Sequence, residues 1–206
     1  MKRLLMAVLA LGAMVGCSSE PSKPSEAEKP QPKAAELDTG RTAFQRMYIA
    51  ARGWARDAQP YKLESMVLPD GTGKDGKSTG WRAGFASASM KSTKPYTWSG
   101  SAAPNAPDRG VNPGSEDSYT PNNASTAVFD IAYLKIDSDK ALETAQQHGG
   151  DKVLEKNPDT PILYVLDWSR PTSELIWHVI YGSDRDSAKL RVSVNASTGE
   201  FIRVEK

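Results

Sequence analysis

Two histidines, His148 and His178, are the only imidazoles among 206 residues. No HExxH, no His-x-His and no cysteine pair accompanies them, so the ligand spacing of a usual zinc site is missing. His178 lies in ELIWHVIY, alternating with Ile176 and Ile180. That pattern makes it a sheet histidine on the less buried or central face, with a general base as the alternative. His148 falls at the expected C-terminal end of a helix, where positive charge is favourable. A serine nucleophile of the elbow type would need GxSxG, and no such match occurs. The run from Gly71 to Gly76 has neither Walker nor Rossmann spacing and no helix pattern after it, so it reads as a hairpin loop. Ser183, Asp184 and Asp186 offer oxygens of the kind calcium takes, but Arg185 shares their loop and no bidentate glutamate follows. They read as an ordinary polar turn. Asn123 and Asn195 each open an N-A-S tripeptide that needs no modification to explain it. No cofactor, no metal and no enzyme activity is expected from these residues.

Aromatics are the remaining candidates. Trp81, Tyr96, Trp98 and Trp177 fall on strand patterns. Strand tryptophans usually pack between sheet and helix, whereas exposed ones mark a protein or glycan contact. These four are the candidate binding residues, with Trp81, Tyr96 and Trp98 also placed to line a pocket between two halves.

The single cysteine, Cys17, has a distinctive setting. Lys2 and Arg3 precede an apolar run from Leu4 to Val15, too short for a hydrocarbon core that needs about 20 residues. This order is that of an export signal. Met14-Val15-Gly16-Cys17 resembles the lipobox of bacterial lipoprotein precursors. The resemblance implies cleavage after residue 16, lipidation of Cys17 with acyl chains such as palmitate, and anchorage to a membrane of the cell envelope. In a Gram-negative cell the domain would face the periplasm. A plain signal peptide with an incidental cysteine is the alternative. Residues 17–36 are rich in proline, charge and small residues, and read as a disordered tether.

The leader and tether hold five of the 26 basic residues and four of the 25 acidic ones, leaving 21 of each for residues 37–206. A balanced domain has no mean field for nucleic acid, so none is expected as a partner.

Helical periodicity runs from Thr42 to Ala58, with Thr42 and Gln45 at capping-box spacing and Pro60 as the stop. Strand patterns follow at 61–68, 80–87 and 94–99, giving a first lobe over 37–100. Residues 101–127 are a Pro/Gly-rich linker, or a meander held by Val111 and Tyr119. The second lobe, 128–206, should hold a strand at 128–134 and a helix from Asp137 or Ser138 to His148, ended by Gly149-Gly150. Strands at 161–168, 174–181, 189–194 and 200–204 complete it. The expected class is α+β, with short helices on an antiparallel sheet. Both halves run helix, then strands that include one bearing tryptophan. Two similar lobes is one reading; one larger sheet with two helices is the other.

The C-terminal part resembles the PepSY and PepSY-like group of exported domains, cystatin-like in layout. The matching features are ALETAQQHGG, ILYVLDW, LIWHVIYG and the closing hairpin around Val194-Asn195-Ala196-Ser197-Thr198-Gly199. Asn195 stands where that pattern has aspartate. Asn195 and Thr198 can bond their own turn, and Gly199 permits positive φ. The resemblance implies a protein-binding or peptidase-inhibitor-like module and brings no catalytic residue. The leading expectation is therefore a membrane-tethered, non-enzymatic envelope domain with a protein or peptide partner. A small-ligand carrier or sensor and a peptidase-inhibitor-like module are the alternatives.

Overall fold

The computed structural model describes residues 34–205. The signal, Cys17 and most of the tether lie outside them. In chain order the elements begin with β1 (Asp38–Thr39), α1 (Gly40–Trp54), β2 (Gln59–Ser65), β3 (Lys77–Ser78), β4 (Gly80–Ser87) and β5 (Ser92–Ser99). Then come β6 (Gly110–Pro113), β7 (Asp117–Ser118), α2 (Ser138–Ala145) and α3 (Asp151–Lys156). The chain closes with β8 (Ile162–Ser169), β9 (Glu174–Tyr181), β10 (Leu190–Asn195) and β11 (Phe201–Val204). This is the α+β class, with short helices against one large antiparallel sheet.

Among the described residues, nine strands share that sheet, in the order β11-β10-β9-β8-β2-β4-β5-β6, with β7 also on β5. Leu63 faces Leu166 across the central β2–β8 seam. On either side of the seam a helix is followed by strands that step outward to an edge. Residues 37–100 and 128–205 therefore contribute to a single sheet and a single core. Residues 101–127 do not merely link them: β6 and β7 both pair with β5, and half-buried Val111 packs on the core.

Three expected boundaries move. The first helix starts at Gly40 with Thr39 as its cap, whose hydroxyl accepts from the Thr42 amide. It stops at Trp54, because Asp57 is pulled onto the β4–β5 hairpin by Ser87 and Ser89. Pro60 lies inside β2. The strand expected at 128–134 is a turn instead: Asp130 accepts from the Ala132 amide, and buried Phe129 and Leu134 anchor its ends. The second helix breaks at Gly149 (φ 111°), as the glycine pair suggests, but α3 follows directly. The closing hairpin turns as its residues imply. Asn195 Oδ1 accepts from the amides of Ser197 and Thr198, and Gly199 has φ 81°.

The two helix starts meet over the seam. Asp137 caps α2 through the Ser138 amide, and the same carboxylate accepts from Arg41 N at 2.8 Å and Thr39 Oγ1 at 2.7 Å. Ser138 Oγ accepts from Gly40 N and donates to Gly76 O. Gly40 must lack a side chain, since a Cβ there would stand 2.7 Å from the Trp177 ring. Trp81 and Trp177 pack edge to face beneath this point, with ring centres 6.4 Å apart. Their indole N–H groups make matching bonds, Trp81 to Asp38 O and Trp177 to Ile136 O, both 2.9 Å. Each acceptor is the residue just before a helix cap.

Candidate functional site

All four aromatics singled out from sequence belong to the helix-covered core. Trp81 and Trp177 are 0 % exposed, Trp98 1 % and Tyr96 5 %. Arg46 lies 5.4 Å over the Trp98 ring and also pairs with Glu36 and Asp38. The Tyr96 hydroxyl reaches Ala50 O on α1. The expected pocket around Trp81, Tyr96 and Trp98 is thus filled by α1, and none of the four offers a surface to a ligand. The cause is strand parity: Trp81 faces Trp98 and Ala83 faces Tyr96, all on the helix side.

The other face of the sheet carries no α-helix among the described residues, only the single 3-10 turn Ala124–Thr126. Antiparallel register puts Arg82, Glu64, Val165, His178, Ser193 and Arg203 in one row across six strands. A neighbouring row holds Pro95, Gly84, Lys62, Asp167 and Ile176. A bulge between Pro60 and Lys62 inserts Tyr61, whose ring lies over Gly84. A Cβ on Gly84 would come within 2.3 Å of Tyr61 Cζ, so this glycine is what lets the ring lie flat.

Two open grooves cross this face. One, about 620 Å³, has Tyr61, Lys62, Glu64, Arg82 and Gly84 in its lining, with Glu116 and Ser125 among its walls. The second, about 290 Å³, shares Tyr61, Lys62 and Ser125 with the first and adds Asp167, Trp168 and Arg185. The wall is the 115–127 segment. It is fastened at the β8–β9 turn, where Arg170 donates to the carbonyls of Pro121, Asn122 and Asn123. Lys62 pairs with Glu64 in the floor.

Sequence reasoning missed the charged cluster at the far end. His178 Nδ1 contacts Glu205, and its Nε2 lies 3.2 Å from Asp167 Oδ1. Ser193 donates to Glu205 at 2.7 Å, and Arg185 and Arg191 approach the same carboxylate at 3.6 and 3.8 Å. Burial alone would lower the His178 pKa, but its two carboxylate partners outweigh burial and raise it. Burial pulls Glu205 the other way, yet the His178 contact leads the opposing set and holds it at about 2. Asp167 is lowered too, against its own desolvation, first by His178. Serine, histidine and carboxylates are together here, but not in a nucleophile's order. The serine donates to a carboxylate, and both imidazole nitrogens are occupied. The legible signal was parity: His178 points away from Trp177, and hairpin register sets it diagonal to Asp167.

The remaining candidates are accounted for locally. His148 stacks on Phe201 with ring centres 3.7 Å apart. Asp184 spends its oxygens on Asp186 N, Ser187 N and the hydroxyls of Ser183 and Ser187. The 71–76 loop is docked, its Gly73 and Gly76 carbonyls accepting from Tyr164 and Ser138. Among the described residues, no group of three or more His, Cys, Asp or Glu side chains could hold a metal ion. No helix among them is long and apolar enough to cross a membrane.

No family model matches the chain, and no curated protein does. Among solved structures it is similar to a protein described as a "putative lipoprotein" from Clostridium difficile 630. The TM-score is 0.53 at 11 % identity, over 79 % of this chain and 91 % of that one. At that identity the likeness is one of fold.

Proposed function

We propose that this chain is a lipid-tethered binding domain of the cell envelope that docks a protein or peptide on the face of its sheet that α1, α2 and α3 leave open. The observation that carries the reading is that face itself: a broad, charged floor with two joined open grooves. A carrier of small apolar ligands would instead enclose its ligand in a closed pocket, and the aromatics that would have lined one are spent in the core. The open sheet surface presents alternate side chains of each strand in rows, a regular spacing that a docked chain can match with its own.

The same reading takes the domain as non-catalytic, supported by the occupied nitrogens of His178 and the engaged hydroxyl of Ser193. A PepSY-like origin, doubled within one chain, is supported by the matching tryptophan-to-cap bonds on the two sides of the seam. Tethering is supported by the Cys17 setting. A lipid there would bury its acyl chains in the bilayer at about 0.8 kcal/mol per CH2, and more than one chain gives a stable hold.

Photocrosslinking in cells tests the docking face. A benzophenone side chain replacing Arg82, on the open face, should give a discrete adduct. The same group replacing Ile49, exposed on α1, should not. Equal adducts at both positions, or none at Arg82, would overturn the reading. Mass spectrometry of the native protein tests the anchor: an unmodified precursor in the soluble fraction would overturn it.

A further inference from the structure

Both ring nitrogens of His178 face carboxylate oxygens, Asp167 on β8 at one and Glu205 just after β11 at the other. An imidazole donates from both nitrogens only when doubly protonated. Once neutral it keeps one N–H and turns a lone pair toward the other carboxylate, which repels it. One of the two contacts must then be given up.

The surroundings decide which. Glu205 is 11 % exposed and held independently by Ser193 at 2.7 Å, by Arg185 and Arg191, and by its own amide on Arg191 O. Asp167 is 35 % exposed. Its other attractions are the more distant charges of Arg185 and Lys62. Further charged groups near the site are Glu64 on β2, Asp186, which lines a cavity with Arg185, Arg191 and Glu205, and Arg203 on β11, which borders the same cavity as His178, Arg185 and Glu205. None of these replaces the bond Asp167 loses. The neutral ring therefore keeps Nδ1–H on Glu205 and releases Asp167.

We infer that His178 is a proton-operated clamp across β8, β9 and β11, and that opening it returns the Asp167 carboxylate to the groove beside Lys62 and Trp168. Closed, the clamp holds that carboxylate against the β9 imidazolium; open, the groove gains a mobile negative charge where a docked chain would lie. The carboxylate partners raise the point of opening above the ordinary histidine value of about 6.5. The clamp stands on the geometry of the free chain, while its bearing on docking rests on the use of this groove proposed above.

Carbon-detected NMR titration of the full chain in detergent, labelled at histidine ring and carboxyl carbons, tests it. His178 should titrate above the ordinary histidine value. The Asp167 carboxyl carbon should show an inflection at the same pH, and the Glu205 carboxyl carbon should not. Asp167→Asn and Glu205→Gln should each move the His178 midpoint to lower pH. A His178 midpoint at or below the ordinary value overturns the clamp. So does an inflection at Glu205 in place of Asp167. These readings need no partner, so a clamp that titrates as stated while the Arg82 crosslink is missing would overturn only the docking face.

Discussion

Replacing Asp137 by alanine should cost the fold about 3 kcal/mol. One carboxylate serves both helices: Oδ1 accepts from Ser138 N at 2.7 Å and Arg41 N at 2.8 Å, and Oδ2 from Thr39 Oγ1 at 2.7 Å. Losing the α2 cap costs about 1 kcal/mol, and α1, which keeps Thr39 as its cap, loses the acceptor of its Arg41 amide. The carboxylate also favours the partial positive charge at each N-terminus, by about 0.3–1 kcal/mol per helix. Thr39 is left without its charged acceptor, which accounts for about 1 kcal/mol more. Asparagine keeps an oxygen for the two amides and forfeits the Thr39 bond and the charge, so Asp137→Asn should lose only about half as much. Urea unfolding followed by tryptophan fluorescence reads both, with m unchanged if only stability is altered. An alanine variant within about 1 kcal/mol of wild type, or one indistinguishable from asparagine, would refute the idea that Asp137 joins the two helices.

Gly84→Ala should destabilise by about 1–3 kcal/mol, since Tyr61 must lift off the sheet; thermal unfolding would show it, and an unchanged Tm would count against the stacked ring. Trp81→Phe and Trp177→Phe should each destabilise, and their double-mutant cycle should show coupling of about 0.5–1.5 kcal/mol because the rings pack on each other. Additive losses in chemical denaturation would contradict that contact. Glu205 has its folded pKa held near 2, below the ordinary 4.5, so its contribution is complete above 4.5 and lost as pH falls toward about 2. The urea-midpoint gap between wild type and Glu205→Gln should therefore be widest near pH 6 and close by about pH 2. For His178 the sign is opposite: its raised pKa gives stability that is full below about 6.5 and lost as pH rises through the folded value.

Elements whose order comes from burial were readable in the chain. The tryptophan-bearing strands β4 and β9 lie over 80–87 and 174–181, where strand patterns place them. Elements whose order comes from a distant partner were not. Thr42 and Gln45 mimic a helix start, but the true start is set by Gly40 passing over two tryptophan rings supplied by β4 and β9. Residues 110–118 have no periodicity because β6 and β7 bury little and draw their order from β5. Val128 to Leu134 has strand-like content, yet Asp130 caps a tight turn there. The site was hidden for a similar reason. Asp167, His178 and Glu205 sit on three separate segments, and only register brings them to one point. Tryptophan content drew attention to the covered face, whereas the groups left accessible are the polar partners on the other.

The β2–β8 seam has a consequence for how the molecule comes to be folded. Leu63 must find Leu166, about a hundred residues away, whereas β4–β5, β8–β9 and β9–β10 join strands that follow one another in the chain. Closing so long a loop is entropically slow, and high contact order delays folding. The local hairpins should form within each half first, leaving β2 a bare edge until residues 162–169 arrive. As the chain emerges N-terminus first, its first half would be the aggregation-prone species, and the last event of folding would be the zipping of one short ladder at the middle of the sheet.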